Sequence, residues 1–309
     1  MMKKLITLLA ATVMAVLPVQ STRAAQPESL GEARQTQEYK VRNFDGLDIS
    51  WLYKVELVRA NRYSVSIDAP DFVIPYLRVD VRDGILCLEV RDMPRDIRRK
   101  IENGHNEVRA AISMPELLSL RMSGAASLST KDEFLHRNNA FTLRLSGAAS
   151  ARGLSVRATE ADIECSGAAK FDLKGDFDRV DLELSGAVNG QLEASPKVAE
   201  LEMSGSAKLR WDGKAGKVGV LASGAAGLQF EGAATELRVT GSGAAKVNAA
   251  LAPTRSAGVV LSGAAKCDVD VRESLEANLS GAASCRYHGT DALRVTTHAV
   301  SRGASLTRY

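Results

Sequence analysis

A tetrapeptide, Ser-Gly-Ala-Ala or a close variant, recurs ten times between residues 123 and 305. We call this tetrapeptide the box. Successive boxes begin 18 to 23 residues apart, and most intervals are 19 or 20 residues. Such a period is typical of a solenoid, in which each repeat buries its apolar side by stacking on its neighbours. The boxes therefore predict a stacked architecture, and they are not a catalytic signature.

The serine and glycine that open each box are predicted to be structural. Glycine adopts a positive φ without steric cost, and small residues suit a tight corner. A nucleophilic serine is disfavoured because no histidine recurs beside the boxes to act as its base. The predicted structural pairs are Ser123 and Gly124, Ser146 and Gly147, Ser166 and Gly167, Ser185 and Gly186, Ser204 and Gly205, Ser223 and Gly224, Ser242 and Gly243, Ser262 and Gly263, and Ser280 and Gly281.

Apolar and polar residues alternate on both sides of every box. In the repeat that begins at Ser185, Leu182, Leu184 and Leu192 stand at odd distances from the serine, and the other repeats follow the same rule. Alternation with period two predicts two short strands per turn, each with one face inward. We therefore expect an all-β fold, a single-chain parallel β-solenoid of about ten turns of 19 to 20 residues with an irregular N-terminal capping region. The crossover rule favours a right-handed β-helix.

The sequence divides into four segments. Lys3 and Lys4 precede an apolar run and small residues that end near Ala24, which is the pattern of a secretory signal peptide. Arg91 to Lys100 is rich in charge and is predicted to be an exposed loop. The predicted segments are a signal peptide at 1–24, a flexible leader at 25–40, N-terminal strands at 41–118, and a repeat solenoid continuous with them at 119–309.

Charge and hydropathy exclude two kinds of partner. The formal charge of +3 comes from three basic residues within 1–24, so the mature chain is formally neutral. Nucleic-acid binding needs a basic surface that neutralises phosphates, and we expect none here. No run in the mature chain is apolar enough to span a bilayer. The sequence carries no signature of a particular oligomeric state.

Several motifs resemble a known family. They are the run Phe44–Ile49, the strand Val55–Val58, the turn Asp83–Leu86, and Met114–Leu117 leading into Leu120–Ala126. These residues look like the head GIN domain of auto-transporter adhesins, and the resemblance extends roughly from residue 41 to residue 306. It implies an exported envelope protein of Bacteroidetes-type and other Gram-negative bacteria, in the periplasm or at the cell surface, with a β-solenoid fold and a role in adhesion.

An acidic ladder is predicted on one outer face. Its six members occupy even positions in three successive turns: Asp162, Glu164, Asp181, Glu183, Glu200 and Glu202. Like charges one strand spacing apart repel unless they are bridged, so a weak Ca²⁺ site is one hypothesis. A solvated face, relieved by Arg121 and Arg144 in the same column, is the alternative.

A second outward column, four residues after the box serine, contains Lys170, Lys208, Lys246 and Lys266. These lysines either keep the surface soluble or bind an anionic glycan or lipopolysaccharide.

Two cysteines stand at equivalent positions in consecutive repeats. Cys267 and Cys285 each lie five residues after a box serine, so stacking places their backbones about one strand spacing, roughly 4.8 Å, apart. They form either a disulfide or a pair of stacked buried thiols. The four histidines share no spacing typical of metal ligands, and no motif indicates a catalytic residue or a cofactor.

These patterns favour a non-enzymatic extracytoplasmic adhesion or interaction module that binds a glycan, or an envelope or host protein, through the solenoid walls. The alternatives are a carbohydrate-active enzyme, a lyase or hydrolase on a β-helix, and a periplasmic partner of an envelope sensory system.

Overall fold

The computed structural model describes residues 33–103, 107–135 and 139–309. The chain divides into two units, Met1–Ala33 and Arg34–Tyr309. The predicted signal peptide and residues 25–32 of the predicted leader lie outside the described residues. The architecture below is that of the second unit.

Within the described ranges the unit contains 24 strands, one α-helix and one short 3₁₀ helix, and it is all-β as predicted. The helix α1 spans Arg95–Asn103 and the 3₁₀ helix spans Ile74–Tyr76. The strands are β1 Arg34–Tyr39, β2 Gly46–Ile49, β3 Tyr53–Arg59, β4 Ser64–Pro70, β5 Leu77–Arg82, β6 Ile85–Val90, β7 Val108–Met114, β8 Ser119–Met122, β9 Ser127–Thr130, β10 Glu133–Leu135, β11 Ala140–Leu145, β12 Ser150–Arg157, β13 Glu160–Cys165, β14 Lys170–Asp176, β15 Arg179–Leu184, β16 Asn189–Ala194, β17 Val198–Met203, β18 Lys208–Ala222, β19 Gly227–Gly241, β20 Lys246–Leu261, β21 Lys266–Leu279, β22 Ser284–His288, β23 Arg294–Val300 and β24 Ser305–Arg308.

Each turn contributes one strand segment to each of two parallel stacks. Stack 1 holds the segments before the boxes, and stack 2 holds the segments that follow them. Equivalent residues pair directly from turn to turn, as Leu182 does with Leu201 and Leu201 with Val220. In strands β18 to β21 a single long strand runs through the corner and serves both stacks. The fold is therefore the predicted parallel β-solenoid of about ten turns.

The interior consists of columns of apolar side chains. Leu182, Leu201 and Val220 are 1%, 2% and 4% exposed, so the residues that the alternation assigns to the inside do share a core. Trp211 stacks on Phe230 of the next turn, with ring centroids 4.4 Å apart. Burial of these columns on stacking is the main stabilising term, because a single turn cannot enclose its own apolar side.

The boxes form tight turns that stack one on another. In the box at Ser146, the Ala149 N–H donates to the Ser146 carbonyl at 3.4 Å, and only the second residue, Gly147, has a positive φ, of 68°. This is the type II′ pattern, which favours glycine at that position. A Cβ on Gly147 would also lie 2.6 Å from the Gly124 carbonyl oxygen of the preceding turn. That oxygen accepts a 2.7 Å hydrogen bond from the Ala148 N–H, so the boxes are joined by a backbone ladder.

The N-terminal end of the solenoid is closed by antiparallel strands. Strand β4 pairs antiparallel with β7, β1 with β4, and β5 with β6. Residues 34–39, which the sequence assigns to a flexible leader, form strand β1 instead. Arg34 anchors this strand through a 2.6 Å ion pair with Asp68 of β4. The antiparallel cap protects the edges of the first parallel strands from further pairing.

The segment Arg91 to Lys100 is mostly exposed, as predicted, but the prediction that it is a loop is wrong from Arg95 onward. Helix α1 begins at Arg95, and the apolar pair Ile97 and Ile101, four residues apart, packs on the core. The Lys100 ammonium lies 4.3 Å from the centroid of the Phe72 ring. Two isoleucines at helical spacing thus hold helix α1 against the core, although the other residues of the helix are mostly charged.

The array begins earlier than the boxes indicate. The Ala125 N–H donates to the Trp51 carbonyl at 2.7 Å, the same ladder bond that links later boxes. Trp51 has a φ of 71°, so it occupies the position that glycine takes in the later turns. The segment from Ser50 to Tyr53 is therefore a box without its sequence signature.

Candidate binding grooves on the two stacks

Each stack presents a shallow groove built from outward side chains. The groove on stack 2, which we call the lysine groove, has a volume of about 870 Å³. Its lining is Ala151, Arg152, Lys170, Phe171, Asp172, Asn189, Gly190, Gln191, Lys208, Leu209, Arg210, Ala225, Ala226, Gly227, Leu228, Gln229, Ala244 and Lys246. Five of these side chains are basic and one, Asp172, is acidic.

Three of the four lysines that the sequence places in one column line this groove. Lys170, Lys208 and Lys246 come together on one face, whereas Lys266 lies beyond its lining. Their backbone N–H groups bond to the preceding turn, but among the described residues none of the three ammonium groups has an ion-pair or hydrogen-bond partner. Their ammonium groups are thus available to a ligand.

The remaining polar side chains of the lysine groove are amides and arginines. Arg210 forms a 2.9 Å ion pair with Glu231, and the Gln229 side chain donates to the same carboxylate at 2.7 Å. Asn189 and Gln191 add uncharged donors and acceptors between the lysines. The groove therefore combines positive charge with amide hydrogen-bonding groups.

A second groove, the acidic groove, lies on stack 1 and has a volume of about 530 Å³. It is lined by Asp181, Leu182, Glu183, Glu200, Leu201, Glu202, Lys217, Val218, Gly219, Val220, Leu221, Glu236, Arg238 and Thr240. Four of the six ladder carboxylates are among them. A Cβ on Gly219 would lie 1.9 Å from Glu200 Oε2, so this glycine leaves the space that the carboxylate occupies.

The ladder is partly neutralised by arginine. Arg144 forms ion pairs with Glu164 and, at 3.2 Å, with Asp162, and Arg179 pairs with Asp181 at 2.7 Å. The pairing with Arg144 is the charge relief that the sequence offers as the alternative to a cation. Within the described ranges no three His, Cys, Asp or Glu side chains group as metal ligands. The geometry gives the calcium hypothesis no support.

Cys267 and Cys285 pair in register in stack 2 and are both free, with no exposed surface. The pKa of the Cys267 thiol lies well above its ordinary value because it hydrogen-bonds Cys285 and is buried. Burial likewise raises the pKa of Cys165, to about 12. Both thiols are too deeply buried to react readily, and the disulfide between Cys267 and Cys285 stays a prediction.

The two histidines among the described residues, His288 and His298, do not assemble a site. His288 Nδ1 lies 3.2 Å from Asp270, which also binds Arg272 at 2.8 Å, and His298 lies on strand β23. His105 and His136 lie outside the described residues. No helix in the described ranges is long and apolar enough to cross a membrane.

The described residues thus form a parallel β-solenoid with a basic groove on one wall and an acidic groove on the other. The chain belongs to the family described as "Putative auto-transporter adhesin, head GIN domain", whose model matches residues 43–196 and again residues 185–290. The resemblance noted in the sequence is thereby confirmed.

Solved structures share the fold. A "putative adhesin" from Parabacteroides distasonis aligns with a TM-score of 0.53 and 14% identity, covering 90% of this chain and 97% of that one. A "putative adhesin" from Parabacteroides merdae aligns with a TM-score of 0.50 and 12% identity, covering 89% and 96%. At these identities the similarity shows the fold alone. No curated protein matches the sequence.

Family membership indicates an adhesion-like role, which requires binding to another molecule, and it indicates an exported envelope protein. It also favours a non-enzymatic function. The two grooves are the surfaces on which such binding is best sought.

Proposed function

We propose that this protein is a non-enzymatic adhesion module that binds a glycan through the lysine groove. The observation that carries the proposal is the alignment of Lys170, Lys208 and Lys246 along the larger of the two grooves, with ammonium groups that have no partner among the described residues. Amide side chains between them supply the hydrogen bonds that sugar hydroxyls need.

The composition of the lysine groove argues against catalysis at this site. Glycoside cleavage uses two carboxylates on opposite sides of the scissile bond, and this groove contains only Asp172. Binding without turnover is the behaviour that its side chains support.

The direct test is retention on a glycan array by the purified chain and by a triple variant, Lys170→Ser/Lys208→Ser/Lys246→Ser. Serine is a conservative choice because Ser150 and Ser284 already occupy this column. We expect the triple variant to lose retention and Lys266→Ser, in the same column but beyond the groove, to keep it. Equal retention by the triple variant would contradict the proposal.

The acidic groove contains the carboxylates that the enzymatic alternative needs. Incubation of the chain with oligosaccharides and measurement of new reducing ends is the discriminating assay. We expect no product. Product that disappears in Glu183→Gln would instead support a hydrolase or lyase on stack 1.

Adhesion also requires display at the cell surface rather than retention in the periplasm. Treatment of intact cells with protease should degrade the protein, and an internal periplasmic marker should survive. Protection of the protein in intact cells would favour the periplasmic role as a partner of a sensory system, which a pull-down would then identify.

A further inference from the structure

We infer that the ligand of the lysine groove is a linear anionic polysaccharide that runs along the stacking direction and carries one negative group for every two sugars. This inference rests on the proposed function and adds the chemical class of the ligand and its orientation.

The spacing of the lysines carries the first step. Strand pairing places Lys170 beside Asn189, Asn189 beside Lys208, Lys208 beside Gly227, and Gly227 beside Lys246. The three lysines of the groove therefore occupy alternate turns, with uncharged residues in the turns between. Lys266 follows Lys246 in the next turn, beyond the lining of the groove. Two strand spacings separate successive lysines of the groove by roughly 10 Å along the stack.

This period fits an extended sugar chain better than other polyanions. Successive rings of an extended polysaccharide rise by close to one strand spacing, so a charge on alternate sugars meets alternate turns. An acidic peptide in extended form brings side chains back to one face every ~7 Å. The phosphates of one strand of duplex DNA advance by ~3.4 Å along the helix axis, and single strands are usually held by aromatic stacking. Phe171, the aromatic residue of this groove, is buried.

The charge balance of the two stacks carries the second step. The acidic groove contains five carboxylates against Lys217 and Arg238, whereas the lysine groove has five basic side chains against one acid. An anionic polymer is therefore attracted to one face of the solenoid and repelled by the other. Attraction between exposed charges weakens as salt rises, because the Debye length shortens to about 8 Å at physiological ionic strength.

Gly227 allows a test that leaves the interior intact. It lies in the lysine column between Lys208 and Lys246, and a Cβ built on it meets no atom within 4 Å. Gly227→Glu places a negative charge between two lysines, and Gly227→Gln is the control of equal size. Gly258→Glu makes the same change on stack 1, where the nearest atom to a new Cβ is Arg238 Cγ at 4.0 Å.

The probes are hyaluronan oligosaccharides, which carry one carboxylate per two sugars, and the same oligosaccharides with their carboxyl groups reduced to alcohols. Affinity is measured by isothermal titration with the full mature chain. We expect affinity to rise from the tetrasaccharide to the hexasaccharide, which adds the third carboxylate, and to change little for longer chains. We expect Gly227→Glu to weaken binding about tenfold, and Gly227→Gln and Gly258→Glu to bind as the parent does.

Three results would overturn this inference. Equal binding of the carboxyl-reduced oligosaccharides would show that the groove takes a neutral glycan, and the proposed function would survive. Affinity independent of length beyond a disaccharide would exclude the two-sugar period. Salt-sensitive self-association that is lost in Gly227→Glu would assign the groove to the acidic groove of a second copy. If the unsubstituted chain were retained by no glycan of the array, by contrast, the proposed function itself would be wrong.

Discussion

The lysine groove and the acidic groove are built on the same frame and carry opposite charge. Both lie over apolar columns with the same alternation and the same turn-to-turn register. Their outward residues differ in the sign of the prevailing charge, with Lys170 and Lys208 on one stack and Glu183 and Glu202 on the other. Inward positions therefore determine the fold, and outward positions are free to determine what is bound.

The largest expected effect comes from a substitution at a box glycine, which disrupts the backbone frame that both grooves share. Gly147→Val places a β-branched residue at a φ of 68° with its Cβ 2.6 Å from a backbone oxygen of the preceding turn. We expect a loss of ~3 kcal/mol or more in the free energy of unfolding, because both the dihedral and the ladder bond are compromised. Urea denaturation followed by circular dichroism gives the value.

The control for this prediction is Gly227→Val, where the new Cβ meets open space. Its free energy of unfolding should stay within about 0.5 kcal/mol of the parent. Similar losses of unfolding free energy in the two variants would mean that a box glycine is no more important to the fold than Gly227.

A second substitution separates inward from outward positions within one strand. Leu182→Ala removes a side chain that is 1% exposed, and we expect it to cost about 2 to 4 kcal/mol through the cavity it leaves. Its neighbour Glu183 faces the acidic groove, so Glu183→Ala should cost less than about 0.5 kcal/mol. Thermal unfolding of the two variants side by side measures the difference, and equal losses would contradict the separation.

The cysteine pair tests whether side chains at inward positions of stack 2 are unreactive. Cys267→Ser buries a hydroxyl in place of a thiol, and we expect a loss of about 1 to 2 kcal/mol. In the native parent chain, neither Cys267 nor Cys285 should react with a thiol reagent at neutral pH, and both should react after unfolding. Burial and the raised pKa of Cys267 are the physical reasons.

Intact-mass measurement of the protein purified from the envelope is the control. A mass lower by two hydrogen atoms would show that the pair is oxidised to a disulfide in its own compartment, against the free thiols described here.

The smallest effect is expected on the acidic groove. Glu202 pairs in register with Glu183, so Glu202→Gln relieves repulsion between like charges and should stabilise the fold by a few tenths of a kcal/mol. The binding of hyaluronan hexasaccharide should not change. A marked gain or loss of binding would show that the two grooves do not act separately.

The stacked fold could be predicted because its signal is repeated. Period-two alternation around each box indicates the inward columns. A shift of one residue in the strand register would turn all of these columns outward at once. The two outward columns follow from the same parity, so the acidic ladder and the lysine column were both visible in the sequence. That three of the lysines line one groove, with free ammonium groups, required the side chains in three dimensions.

The N-terminal region could not be predicted in the same way because its signals occur once. Trp51 takes the place of glycine in the earliest turn, so the box is hidden. Helix α1 depends on Ile97 and Ile101 within a segment dominated by charge. Strand β1 is 34–39, and its partner β4 begins 25 residues after β1 ends, which no local pattern reveals.

The backbone hydrogen bond between successive boxes is repeated along the stack, so a solenoid of this kind can vary in length. Each added turn repeats the same 2.7 Å contact and brings one new residue to every outward column. Whole turns can therefore be duplicated or deleted without changes to the residues of the interior. The family model matches two successive stretches of this chain, as such growth by duplication would produce. Under the proposed function, each added turn would lengthen the lysine column and with it the stretch of polymer that this chain contacts.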